Sequence, residues 1–171
     1  ILLLIRCLLL ILLALALARP RSVSDVLVKD DEVSKNVVIV VDTSYSMAYQ
    51  LGSDTVFEKA VRAARDLVSG LADGDRVTVV AYDENVRTLY PKPRQLNTRV
   101  KNEILQDLED APELQLSERS TDFVEVFHVL PRVLRAFDFD ASGRPPPPGA
   151  PPLPKTVFLI TDAQRLGVLD P

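Results

Sequence analysis

The sequence predicts a three-layer α/β domain with a mainly parallel sheet, preceded by a transmembrane helix. Three observations lead there. The runs Asn36 to Val41 and Thr156 to Thr161 are apolar and β-branched without polar alternation, as in strands buried within a parallel sheet. Between them lie segments whose apolar residues recur at helical spacing. Residues 1–18 are apolar except for Arg6.

The amino-terminal run ends in Arg19-Pro20-Arg21, charge followed by a helix-breaking ring. Eighteen residues at a rise of ~1.5 Å reach about 27 Å, close to the hydrocarbon thickness of a bilayer. A transmembrane helix over residues 1–18 is the expectation, with Arg6 snorkelling toward one interface. The alternative is the apolar core of a signal peptide, because Ala14-Leu15-Ala16 and Ala16-Leu17-Ala18 offer small residues at cleavage-like spacing. A buried core helix fits less well, since leucine occupies every face. The first residue is isoleucine, so a preceding segment is expected. Residues 19–35 form a linker, with an extended edge segment around Val26 to Val28.

Charge excludes one class of partner. Residues 1–24 hold three of the 20 Lys and Arg and none of the 24 Asp and Glu, so residues 25–171 carry 17 minus 24, or −7. A nucleic-acid surface wants clustered basic residues, and none is expected here. The single cysteine, Cys7, lies in the apolar run, which rules out an internal disulfide within the chain and a thiolate metal site.

The domain is read as residues 36–171. Phe57, Ala60, Val61, Ala64, Leu67, Val68 and Leu71 define the first helix, with Thr55 as its N-cap and Gly70 with Asp73-Gly74-Asp75 ending it. Arg76 to Tyr82 is a second strand, and Asp83-Glu84-Asn85 turns the chain into Val86 to Leu89, a short antiparallel partner. Pro91 and Pro93 break the pattern. A second helix buries Val100, Ile104, Leu105 and Leu108. The third carries the stripe Phe123, Val126, Phe127, Leu130, Val133, Leu134 and Phe137, opened by Asp122 with Glu125 as a capping box and interrupted at Pro131. Residues 139–154 form a proline-rich insertion, read as a solvated polyproline II loop. Because Asp170-Pro171 follow closely on a buried strand, the domain is expected to be incomplete at its carboxyl end, with a further helix and more sheet beyond.

In an open α/β sheet, ligands gather at the carboxyl ends of the strands. Asp42, Ser44 and Ser46 follow the first strand, Asp162 follows the last, and Thr121 starts the third helix. All five are oxygen donors, which selects a hard cation such as Mg²⁺ over zinc or copper. Two carboxylates and three hydroxyls leave such a cation residual positive charge and open positions, so a carboxylate from a partner protein could complete its shell. Taken alone, Asp42, Ser44 and Ser46 read equally well as a turn or helix cap.

Asp42-Thr43-Ser44-Tyr45-Ser46-Met47 resembles the DxSxS signature of von Willebrand factor type A (VWA) domains, with Thr121 in Arg119-Ser120-Thr121-Asp122 and Asp162 in Ile160-Thr161-Asp162 matching the later motifs in order. The resemblance runs from about Asn36 to Asp162 and implies a Rossmann-like fold with a metal-ion-dependent adhesion site (MIDAS). It implies that Ser44 and Ser46 ligate the metal directly, Thr121 directly or through water, and that Asp42 and Asp162 mostly hold coordinated waters. The metal would be Mg²⁺, with Mn²⁺ or Ca²⁺ as alternatives. The apolar helix and Leu-Ala-Arg-Pro shortly before the domain are similar to bacterial membrane-anchored proteins of the Bat, or aerotolerance-regulator, type, which implies a periplasmic domain. Arg19 and Arg21 by themselves favour a cytoplasmic one. Tyr45, Ser120 and Ala163-Gln164 stand where glycine is frequent in the family, and none of these departures removes a donor oxygen.

Other readings weigh less. Tyr45 is either an aromatic at the partner-binding rim of the site or a residue packed on a neighbouring loop. His128 falls on the polar side of its helix with no second His to join it. An aspartyl-phosphate phosphohydrolase needs a general acid two residues after the nucleophile, where Ser44 stands. No G-x-S-x-G elbow surrounds Ser44 or Ser46. The expected function is therefore a membrane-tethered, non-enzymatic module that captures an acidic group of a partner protein. The alternatives are an Asp42-dependent phosphohydrolase and a metal-free scaffold.

Overall fold

The computed structural model describes Arg6 and residues 34–139, 143–145 and 154–162. The apolar run, nearly all of the linker and most of the proline-rich insertion lie outside the described residues. Among the described residues no helix is long and apolar enough to cross a membrane.

The sheet is built on β1 (Asn36–Asp42), which pairs in parallel with β4 (Arg76–Tyr82) on one side and β7 (Lys155–Ile160) on the other. On the far side of β4 lie two short antiparallel strands, β5 (Val86–Thr88) and β6 (Arg94–Gln95). The second of these falls just past Pro91 and Pro93, where the sequence suggested only a break. A separate hairpin of β2 (Gln50–Leu51) and β3 (Asp54–Thr55), also not expected, turns through Gly52 at φ 82°. That left-handed backbone is one that glycine adopts without a Cβ clash.

Every residue of β1 is buried. Strand geometry sends alternate side chains to opposite faces. Val37, Ile39 and Val41 therefore meet α1 (Val56–Gly70) and α2 (Thr98–Asp110), while Val38 and Val40 meet α3 (Phe123–Arg135). An unbroken apolar run is thus what a strand between two helical layers requires. The chain leaves β1 through α1 to β4, then passes α2 and α3 before entering β7 on β1's other edge. Consecutive connections depart β1 in opposite directions, so the crevice of an open α/β sheet opens at its carboxyl end.

Helix starts follow local chemistry. Thr55 caps α1 in a complete capping box, its hydroxyl accepting from the Glu58 amide while Glu58 accepts from the Thr55 amide. Asn97 caps α2. Asp122 caps α3, accepting from the Val124 and Glu125 amides. Its own amide donates to the Asp83 carbonyl at 3.0 Å, so the reciprocal box expected with Glu125 gives way to a tertiary contact.

Two expectations about burial are corrected. Phe127, assigned to the inward stripe of α3, is exposed, whereas Val126, Val133 and Phe137 are buried as expected. Phe127 is absent from the cluster that Val126, Val133 and Phe137 form with Val38, Val40, Val80 and Tyr82. The final strand, expected to be buried like the first, is half open, with Val157 37 % and Leu159 43 % exposed. It has β1 as its only neighbour in the sheet among the described residues.

Candidate metal centre

Parallel register decides which residues meet at the top of the sheet. Asp42 is paired with Tyr82, and Val41 with Ile160, so Thr161 comes level with Asp42. The Asp42 carboxylate is buried and held by three protein donors. Oδ1 accepts from the Ser44 amide at 2.9 Å, an Asx turn that reverses the chain at the strand end. Oδ2 accepts from the Tyr82 hydroxyl at 3.2 Å and the Thr161 hydroxyl at 2.8 Å. A carboxylate has about four lone-pair sites, so little accepting capacity remains.

The turn presents the two serines side by side, Ser44 Oγ lying 3.1 Å from Ser46 Oγ. Ser44 is buried, Ser46 is partly exposed, and Met47 anchors the short 3₁₀ turn Tyr45–Ala48 from below. The Tyr45 side chain is 70 % exposed. Tyr49 and Leu51, further along the same excursion, are also exposed. His128 is exposed on α3 as expected, 3.9 Å from Glu125.

Thr121 and Asp162 reach this place through their neighbours. Thr161, immediately before Asp162, bonds Asp42, and Asp162 lies close enough to Tyr82 to act on its hydroxyl electrostatically. Asp122, immediately after Thr121, is bonded to Asp83 at the end of β4. The Thr121 loop is also stitched to the Asp42 loop by Ser117 N donating to Thr43 O at 2.8 Å and Tyr45 N donating to Arg119 O at 2.9 Å. The five oxygen-bearing residues therefore lie on three loops that share one end of the sheet.

Sequence reasoning missed the supports. Burial, joined by the Asp42 and Asp162 carboxylates, outweighs the Thr161 hydrogen bond and pushes the Tyr82 hydroxyl well above the usual tyrosine range, so it stays a proton donor. Burial alone would raise Asp83, but the Asn85 amide, the Ser117 hydroxyl and the Arg87 guanidinium outweigh it and hold that carboxyl below its usual range. Arg87 bonds Asp83 at 2.9 Å and Thr43 Oγ1 at 3.1 Å. A signal for Tyr82 and Asp83 was present in their place: Tyr82 ends a strand just as Asp42 does and Asp83 follows it, and strand ends are where sites collect.

Among the described residues no three His, Cys, Asp or Glu side chains cluster as a metal site. The set assembled here is of another kind, with hydroxyls outnumbering carboxylates, and its chemistry suits a small hard cation.

Residues 37–164 match the von Willebrand factor type A domain family, and the chain belongs to that family. Such domains are commonly protein-interaction modules. Among solved structures the fold is shared with BatB from Bacteroides thetaiotaomicron, at 21 % identity and a TM-score of 0.52 over 74 % of this chain and 52 % of that one. A von Willebrand factor type A protein from Catenulispora acidiphila is 24 % identical with a TM-score of 0.53, over 61 % of this chain and 24 % of that one. An uncharacterized membrane-spanning protein from Vibrio fischeri is 17 % identical with a TM-score of 0.51, over 63 % of this chain and 52 % of that one. These likenesses show the fold. The chain spans about half the length of the BatB protein. No curated protein sequence matches it.

Proposed function

We propose that this chain is a membrane-tethered, non-catalytic module that captures a carboxylate of a partner protein through a Mg²⁺-centred adhesion site. The carrying observation is the Ser44 and Ser46 hydroxyl pair, 3.1 Å apart, beside an Asp42 carboxylate already restrained by three donors. The donor set fits the ion. Ser44 and Ser46 would hold it with Thr121, while Asp42 and Asp162 supply negative charge and accept from its waters. When bound, the cation offers a Lewis-acidic position to an incoming carboxylate. Mn²⁺ or Ca²⁺ could take the same place with different geometry demands.

The chain's own residues do the rest. Asp42 has three protein donors on its two oxygens, so it orients the turn with about one lone-pair site left for a metal-bound water, and Ser44 stands where a phosphohydrolase needs its general acid. Tyr45, exposed next to Ser44 and Ser46 in sequence, would line the rim against which a partner rests. The apolar run of residues 1–18 supports attachment to a membrane, a fold relative from Vibrio fischeri is itself a membrane-spanning protein, and the periplasmic position is part of the same proposal.

One observation favours a second reading, the metal-free scaffold: the Asp42 turn is satisfied by protein donors alone. Titration calorimetry with MgCl₂ separates the two. Metal binding with a matching rise in melting temperature, abolished by Ser44→Ala and Asp42→Ala, is the expected outcome. No heat and no shift for the wild-type chain would leave the scaffold, and phosphoester turnover lost in Asp42→Ala would restore the enzyme.

A further inference from the structure

We propose that the half-buried Arg87 and the buried Asp83 form a bracket that locks the Thr121 loop onto the Asp42 loop, presetting the spacing of the oxygen donors before any ligand arrives. Three chain segments meet at this pair. Arg87 sits on β5, at the start of which the chain has just turned back from β4, and its guanidinium faces three ways. Nη1 donates to Asp83 Oδ2 at 2.9 Å, Nη2 to Thr43 Oγ1 at 3.1 Å, and Nε to the Glu113 carbonyl at 3.4 Å. Those partners belong to the end of β4, the Asp42 loop and the entry to the Thr121 loop. A planar guanidinium with donors in a rigid fork can serve three directions together.

Asp83 completes the bracket from the other side. Its carboxylate accepts from the Asn85 amide at 2.8 Å and from the Ser117 hydroxyl, and its carbonyl accepts from the Asp122 amide at 3.0 Å. Thr121 is thus flanked by contacts that lead back to one residue, through the Asp83 carboxylate on the Ser117 side and the Asp83 carbonyl on the Asp122 side. Thr43 is the third node. Its hydroxyl donates to the Tyr82 carbonyl at 3.0 Å and so is left to accept from Arg87, while its own carbonyl receives the Ser117 amide. No residue of the bracket is one of the five donors. Arg87 and Asp83 are therefore positioning residues, acting on Ser44, Ser46 and Thr121 through the backbone that carries them. Loops without regular structure need such cross-links, because a site held to about half an ångström requires locked supports.

Only the metal half of the test rests on the proposed adhesion site. Arg87→Lys keeps a charge beside Asp83, and so avoids an orphaned buried carboxylate, but a single ammonium cannot reproduce the fork. The double variant Asp83→Asn with Arg87→Met removes both charges and serves if the single variant folds poorly. In the metal-free 171-residue chain, hydrogen exchange at the Ser117, Tyr45 and Asp122 amides is expected to quicken about tenfold or more. Mg²⁺ affinity is expected to fall about tenfold, the lower end for losing an outer-shell support. Leu108→Ala, which loosens α2 away from the bracket, should lower the melting temperature with Mg²⁺ affinity unchanged. Unchanged loop exchange in both bracket variants would overturn the proposal, as would an equal loss of affinity in Leu108→Ala. If exchange quickens while affinity holds, presetting is refuted. If the wild-type chain binds no Mg²⁺, the adhesion-site reading fails, and exchange alone decides the bracket.

Discussion

β1 and β7 are neighbours that both carry an unbroken apolar run, with opposite fates. Val38 pairs with Val157 and Val40 with Leu159, in register and on the same face of the sheet. Val38 is 0 % and Val40 1 % exposed, against 37 % and 43 % for their partners. A valine in β1 has a strand on each side and packs in the cluster that α3 covers, whereas its partner in β7 has one strand beside it among the described residues and stands outside that cluster. Apolar run-length reports that a strand is suited to burial. The number of layers and neighbours around it decides how much burial it receives.

The largest expected effect lies at the centre of that contrast. Ile39→Ala should destabilise by about 2–5 kcal/mol, since it empties a site enclosed by β4, β7, α1 and α2. Denaturant unfolding, read as a shift in midpoint at constant slope, measures it. A loss no larger than that of a β7 substitution would break the comparison.

An intermediate effect concerns charge on the β4 side of β1. Asp83 has a folded pKa below its unfolded value near 3.8, so its contribution is fully present above that value and is lost as pH falls through the folded one. Melting temperature should therefore hold down to about pH 4.5 and drop below about pH 4 as this and the partly exposed, ion-paired Asp54 and Glu103 protonate. In Asp83→Asn the plateau is lower and the acid slope shallower, which thermal melts across pH 2.5–7 check, with about that range set by the carboxylate reference values.

The smallest effect belongs to the open edge. Leu159→Ser should cost about 1 kcal/mol or less, because the transfer free energy scales with the area removed from water and much of this side chain remains in it. A cost matching that of Ile39→Ala would mean that the outer face of β7 is covered in solution, and would sharpen the contrast into one between two kinds of cover.

The site divides in the same manner. Asp42, Ser44 and Ser46 were legible because a buried strand ending in Asp, followed by small hydroxyl residues, is a local pattern with a local cause, and Thr55 as a helix cap was legible for the same reason. Thr121 and Asp162 were legible by their order along the chain and their places before a helix and after a strand. Tyr82, Asp83, Arg87 and Thr161 were not singled out, because each acts only through a partner dozens of residues away or across a turn. Glu125 shows the reverse error: its spacing from Asp122 satisfies a capping box, but the amide it would have accepted from had a tertiary partner in Asp83.

What this sequence determined by itself is the period of each element, the α/β class that follows from continuous strands and amphipathic helices, and the oxygen chemistry of the strand ends. Those are properties of residues and their near neighbours, so they survive without coordinates. Only the tertiary structure decided which ends meet. The parallel register of β4, β1 and β7 brings Tyr82 and Thr161 level with Asp42, and Arg87 then joins three loops that the chain keeps far apart. Register is a relation between strands, and no single segment carries it.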